Sequence, residues 1–184
     1  SPDFYSAYRI FSVLNDRGQE LSLTDILKAD IIGAISKKDK DKENEYTEKW
    51  EDIEDQLGRD GFSQLFAHIR MIYAKRKVRK TLLEELRTFV DPANYPEYFI
   101  DNNLLPYGDE FDRLKNSNIE GTNYDDQINR YLVYLNRIDN FDWIPPLLFY
   151  LTNTNRTGQD ILKFIQKLER LSSVLMIIRA DINY

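Results

Sequence analysis

From Ile161 onward, Phe164, Ile165, Leu168, Leu171, Leu175 and Ile178 fall three or four residues apart, which lines one face of a helix over several turns. The same period recurs along the chain: Phe4, Ala7, Tyr8, Phe11 and Leu14; then Ile26, Leu27, Ile31 and Ile35. Tyr46, Trp50, Ile53 and Leu57 make a stripe ended by Gly58, and Phe62, Leu65, Phe66, Ile69, Ile72 and Tyr73 make the next. Leu82, Leu83, Leu86, Phe89 and Val90 run to a stop at Asp91 and Pro92, and Ile128, Tyr131, Leu132 and Leu135 restore the pattern further on. Sustained alternation with hairpin turn chemistry occurs nowhere. Stripes of this kind are buried only against one another, so the chain reads as all-α, an irregular multi-helix bundle.

At 184 residues the chain can bury one substantial core, or two small helical units sharing an interface. Twelve tyrosines and ten phenylalanines against two methionines point to a core built on large, shape-specific rings. The expected organisation is an N-terminal helical unit over residues 1–90, an irregular connecting segment over 91–122, and a C-terminal helical unit over 123–184. Pro92, Pro96, Pro106, Gly108 and Gly121 break up the middle segment. Pro145 and Pro146 open a short buried helix through Tyr150, because proline is tolerated in a first turn. The charged stretch 37–45 reads as an exposed loop or a frayed helix start.

No apolar run approaches a membrane span, and no signal-peptide pattern opens the chain. The absence of cysteine excludes a disulfide framework and thiolate metal sites, and fits a cytoplasmic protein. A formal charge of −6 argues against a broadly basic DNA-coating surface and leaves room for a local basic patch.

Four groups of residues are candidates for function. Asn15, Asp16, Arg17, Gly18 and Gln19 lead into Ser22, whose hydroxyl suits an N-cap accepting from the amide of Thr24 or Asp25. This is either an interhelical turn or a polar knuckle serving a ligand or a neighbouring domain. Lys75, Arg76, Lys77, Arg79 and Lys80 form the only dense basic cluster. At a helix C-terminus such cations favour the helix dipole and solvent, or they contact phosphate. His68, between Phe66 and Ile69, reads as a partly buried, hydrogen-bonded histidine ahead of a catalytic base. Asn153, Asn155 and Arg156 are turn chemistry, with Thr154 or Thr157 as cap of the last helix. The acids Asp39, Asp41, Glu43 and Glu45 match no standard metal spacing, and Glu84 and Glu85 read as a solvated face. Core packing accounts for most of Tyr5, Tyr8, Tyr73, Tyr95, Tyr98, Tyr131 and Tyr134, although a base-stacking pocket is compatible with them.

Ala7, Ile10, Phe11, Leu14, Asn15, Gly18, Leu21, Ser22, Asp25, Ile26, Leu27 and Lys28 together resemble a signature of the GmrSD-type restriction endonuclease family. Trp50, Ile53, Glu54, Leu57 and Gly58, then Phe66, His68 and Arg70, look like its succeeding helices. Trp143 to Leu148, and Leu168, Glu169, Arg170 and Leu171, resemble later landmarks, so the likeness extends over most of the chain. Members carry a ParB-like domain with a DGQQR-type signature linked to NTP hydrolysis, then a helical region, and often an HNH-type nuclease domain. This chain has no DGQQR-like run, and its one histidine cannot supply an HNH site.

The resemblance therefore implies the helical middle of a larger, NTP-dependent and modification-dependent restriction or phage-defence protein. That region has no complete catalytic site and no cofactor of its own; NTP and a divalent metal belong to the intact protein. Its partners are the ParB-like and nuclease domains, with DNA as a further one. Asn15, Arg17, Gly18 and Ser22 would face the nucleotide or the domain interface, and Lys75, Arg76, Lys77, Arg79 and Lys80 would meet DNA. Two readings compete: a helical protein-interaction module that binds neither nucleotide nor DNA, and a self-contained hydrolase built on His68.

Overall fold

The computed structural model describes residues 22–153 and 156–182, with side chains as far as Ile178. Among the described residues every regular element is helical and no strand occurs. The chain is an all-α, irregular multi-helix bundle. The turn leading into Ser22 lies outside the described residues, as do the expected helix over Phe4 to Leu14 and Thr154 and Asn155.

Helix α1 (Leu23–Lys38) starts where Ser22 accepts from the Asp25 amide at 3.1 Å, while the Asp25 carboxylate accepts from the Ser22 amide at 2.9 Å. This reciprocal capping box satisfies two amides that the first turn leaves free. A 3-10 turn over Lys40–Lys42 then leads directly into α2 (Glu43–Ala74). The charged stretch 37–45 is therefore helical for most of its length. Its charges find partners: Ser36 donates to Glu43 at 2.5 Å and Lys42 meets Glu97 at 2.9 Å. The first of these contacts, with Lys28 to Glu51 at 2.8 Å, shows α1 and α2 running antiparallel.

The two stripes on either side of Gly58 belong to one helical span with a kink. Gly58 sits at φ 67°, ψ 164°, a conformation nearly confined to glycine, and it turns the second half of α2 onto a new line. Trp50, before the kink, then packs against Phe62 and Phe66 beyond it, at ring-centre distances of 5.2 and 5.5 Å. Phe99 extends the aromatic cluster from the middle segment, 6.3 Å from Phe66.

Helix α3 (Leu82–Phe89) follows an exposed loop. The middle segment is more regular than its prolines and glycines suggest. It holds α4 (Pro96–Phe99), a π-helical stretch (Ile100–Leu104) and α5 (Leu105–Lys115) in unbroken succession. Pro96 occupies the first turn of α4, where a missing N–H costs no helical bond, and Pro106 follows directly on the π-helical stretch inside the continuous run. Gly108 lets α5 approach α2 closely: a Cβ there would stand 2.7 Å from Ile53 Cγ2.

Helices α6 (Asp125–Asn136), α7 (Ile144–Thr152) and α8 (Gly158–Ile182) complete the bundle. Thr157 caps α8 through the Asp160 amide at 3.2 Å. Buried side chains from all eight α-helices of the described residues form one cluster, from Leu27 to Leu168, so 91–122 is part of the body. The last stripe outruns it: beyond Ser172 the apolar residues Val174 to Ile178 are exposed, as is Leu171.

Candidate nucleic-acid interface

Two residues that look wrong for a helix stripe organise the basic cluster. Arg70 takes a place among Phe66, Ile69 and Tyr73 on α2, and Glu85 lies next to Leu86 on α3. They are 1% and 2% exposed at the side chain and form a buried ion pair. An ion pair removed from water is sustained only when its remaining donors and acceptors are bonded. Here the backbone of residues 75–80 supplies those bonds.

Arg70 donates from Nη1 to the Arg76 carbonyl and from Nη2 to the Lys77 carbonyl at 3.2 Å. Glu85 Oε1 accepts from the amides of Arg79 at 2.8 Å and Lys80 at 3.1 Å. The Arg79 amide above all, then the Lys80 amide and the Arg70 guanidinium, hold the Glu85 carboxyl below its ordinary range, so it is ionised at neutral pH. Lys75 closes α2 in the left-handed region at φ 50°, and Thr81 opens α3 in a capping box with Glu84. The connection is thus held from beneath along its whole length.

What the loop shows to solvent is its own side chains. Lys75, Arg76, Lys77, Val78, Arg79 and Lys80 are all exposed. None of the five cations forms a salt bridge among the described residues; Arg76 stacks on the Phe89 ring at 4.2 Å. The cluster begins at the expected helix terminus, with Lys75 as its cap, and runs on as a braced loop; Glu85, expected on a solvated face, is the centre of its brace. Sequence reading missed this role of Arg70 and Glu85. The available signal was a full charge at a stripe position in each of two successive helices.

Tyrosines were expected mainly in the core. Tyr46 and Tyr107 are buried, yet Tyr73, Tyr95 and Tyr98 are 41%, 68% and 62% exposed, and Tyr134 is also exposed. Tyr73 lies two residues before Lys75 and donates to buried Asn103 of the π-helical stretch. Burial first, then the neighbouring hydroxyls of Tyr107 and Tyr98, push the Tyr73 phenol up, against the bond to Asn103.

The other candidates separate from this surface. Ser22 spends its hydroxyl and amide on its own capping box, while Asn15, Arg17 and Gly18 lie outside the described residues. His68 packs edge-on against Phe111 at 5.2 Å, and burial lowers its pKa to about 4, so it is neutral at pH 7. Asn153 bonds the Tyr107 hydroxyl and the Phe149 carbonyl, which ties the end of α7 to α5. Among the described residues no three His, Asp or Glu side chains are grouped to hold a metal ion. A shallow concavity beside the start of α8 is lined by Glu110, Arg113, Glu120 and Arg156, two residues of each sign, with no convergence on one ligand charge. Compared with protein-family models, with curated proteins and with solved structures, the chain finds no match in any of the three.

Proposed function

We propose that this bundle is a nucleic-acid contact module, with Lys75, Arg76, Lys77, Arg79 and Lys80 meeting DNA phosphates. One observation carries the reading. A buried ion pair fixes the backbone of an exposed loop whose five cations are left without a salt bridge among the described residues. Cations held in a fixed arrangement can neutralise phosphates with little further ordering, and each neutralised phosphate releases counterions to solution. The acidic remainder of the chain disfavours DNA elsewhere on the surface and so orients the contact.

With the resemblance described above, the wider proposal is the helical region of a GmrSD-like, NTP-dependent restriction or phage-defence protein. In that setting the bundle joins a ParB-like domain to a nuclease domain and lines part of the DNA path. Nucleotide turnover and cleavage, with their NTP and divalent metal, belong to those other domains.

The test is duplex binding by fluorescence anisotropy across a salt series, with the five cations changed together to alanine in a second protein. The expected result is salt-sensitive binding that the variant loses. Absence of binding even at low salt would overturn the proposal and favour a protein-interaction module, for which the apolar end of α8 is the surface at hand.

A further inference from the structure

We propose that the basic loop and Tyr73, Tyr95 and Tyr98 form one surface for single-stranded DNA, with phosphates on the loop and unpaired bases on the rings. This rests on the phosphate-contact reading above and adds to it the form of the nucleic acid.

Three observations carry it. Tyr95 and Tyr98 are among the most exposed large hydrophobic side chains of the described residues, and Tyr73 is exposed as well. Exposed rings grouped at the start of one short helix and the end of its neighbour mark an interaction surface. The fold also links the three to the loop. Tyr73 precedes Lys75 on the last turn of α2, and its hydroxyl bonds Asn103, one residue after Asn102, whose amide donates to the Tyr98 carbonyl at 3.2 Å. From the other side, Arg76 stacks on Phe89, and the chain runs from there through one turn to Tyr95.

Charge on α4 and the π-helical stretch is consistent with an anionic strand. Glu97 is paired with Lys42 at 2.9 Å, and Asp101 accepts from Lys49 at 2.9 Å and from Tyr46 at 2.8 Å. Both acids on this helical run are thereby neutralised or hydrogen-bonded. Unpaired bases present faces that stack on exposed rings whatever their sequence, while bases in a duplex are already stacked on each other. A surface combining free rings with fixed cations therefore favours a single strand.

The experiment compares an oligothymidylate of about 15 nucleotides with an abasic strand of equal length and with a duplex. Tyr95→Ala and Tyr98→Ala are the variants, because exposed positions can lose their rings without disturbing the core. The expected result is binding of oligothymidylate about tenfold or more tighter than the abasic strand, a preference each variant reduces while abasic affinity holds. Changing the five cations to alanine should lower affinity for both strands. Equal, salt-sensitive binding of oligothymidylate and abasic strand would overturn the stacking proposal and leave the phosphate contact standing, as would a preference for duplex. Failure of every nucleic acid to bind would overturn both. Circular dichroism of each variant, matching the parent, keeps these outcomes separate from misfolding.

Discussion

Two interhelical loops of similar length are braced in opposite ways. The loop before α3 is held by Arg70 and Glu85 from the helices beneath it, and all six side chains from 75 to 80 remain exposed. The loop between α5 and α6 is held by polar side chains of α6 and anchors itself inward. Asn129 donates to the Ile119 carbonyl at 2.9 Å and accepts from its amide at 2.7 Å, while Asp125 accepts from the amides of Gly121 and Thr122. Ile119 is itself buried in the core. The second loop uses its side chain to stay attached, as a structural connection does. The first is attached through its backbone and the Arg76 stack on Phe89, at the expense of burying two charges, and its other side chains are available for something else.

Removing one charge of the buried pair is the strongest way to break this contrast. Arg70→Met leaves the Glu85 carboxylate without its counter-charge and two loop carbonyls without donors, and should cost about 3–5 kcal/mol in urea unfolding. Replacing both members by apolar residues should recover part of that loss, since the desolvation penalty goes with the charges. A near-neutral Arg70→Met would mean that the loop holds itself.

His68, two residues before Arg70, contributes a pH dependence of known sign. Its folded pKa of about 4 lies below the unfolded value near 6.5, so the unfolded chain takes up the proton first. Its contribution is fully present above pH 6.5 and is lost as pH falls toward 4. The loss should be on the order of 2 kcal/mol, allowing for partial exposure to water. Stability curves for wild type and His68→Gln should therefore converge in shape above pH 6.5 and diverge below it. Parallel curves down to pH 4 would contradict the buried, neutral imidazole.

Asn129→Ala sharpens the other side of the comparison. It removes both bonds to Ile119 and should cost about 1.5 kcal/mol, with faster amide exchange confined to the loop between α5 and α6. The smallest effect is the most telling. Changing Lys75, Arg76, Lys77, Arg79 and Lys80 to alanine should alter stability by no more than about 0.5 kcal/mol at each lysine and at Arg79, and by up to about 1 kcal/mol at Arg76 for its stack on Phe89. A large destabilisation would return the cluster to a structural role.

The bundle was legible because helical periodicity reports burial directly: Leu27, Ile31 and Ile35, or Trp50, Ile53 and Leu57, are buried where their spacing placed them. The same rule misled at Leu171, Leu175 and Ile178, since periodicity describes a helix face and not whether a neighbour is there to cover it. The middle segment was underread for a related reason: Pro96 opens a first turn and Pro106 is taken up beside a π-helical stretch, and composition does not distinguish either from a helix break. Of the candidate site, the five cations could be read as a cluster but not as a loop. What braces it is a contact between residues 70 and 85, and periodicity marks each as a charge out of place without saying that the two pair.

The most direct test is the salt slope of duplex binding, measured for wild type, for Lys77→Ala in the loop and for Lys167→Ala on the exposed face of α8. A phosphate contact at the braced loop should make the Lys77 variant lower the slope of log affinity against log salt by about 0.9, one phosphate contact, while the Lys167 variant leaves it unchanged. Equal slopes for all three proteins, or equal losses in both variants, would contradict a contact centred on the braced loop.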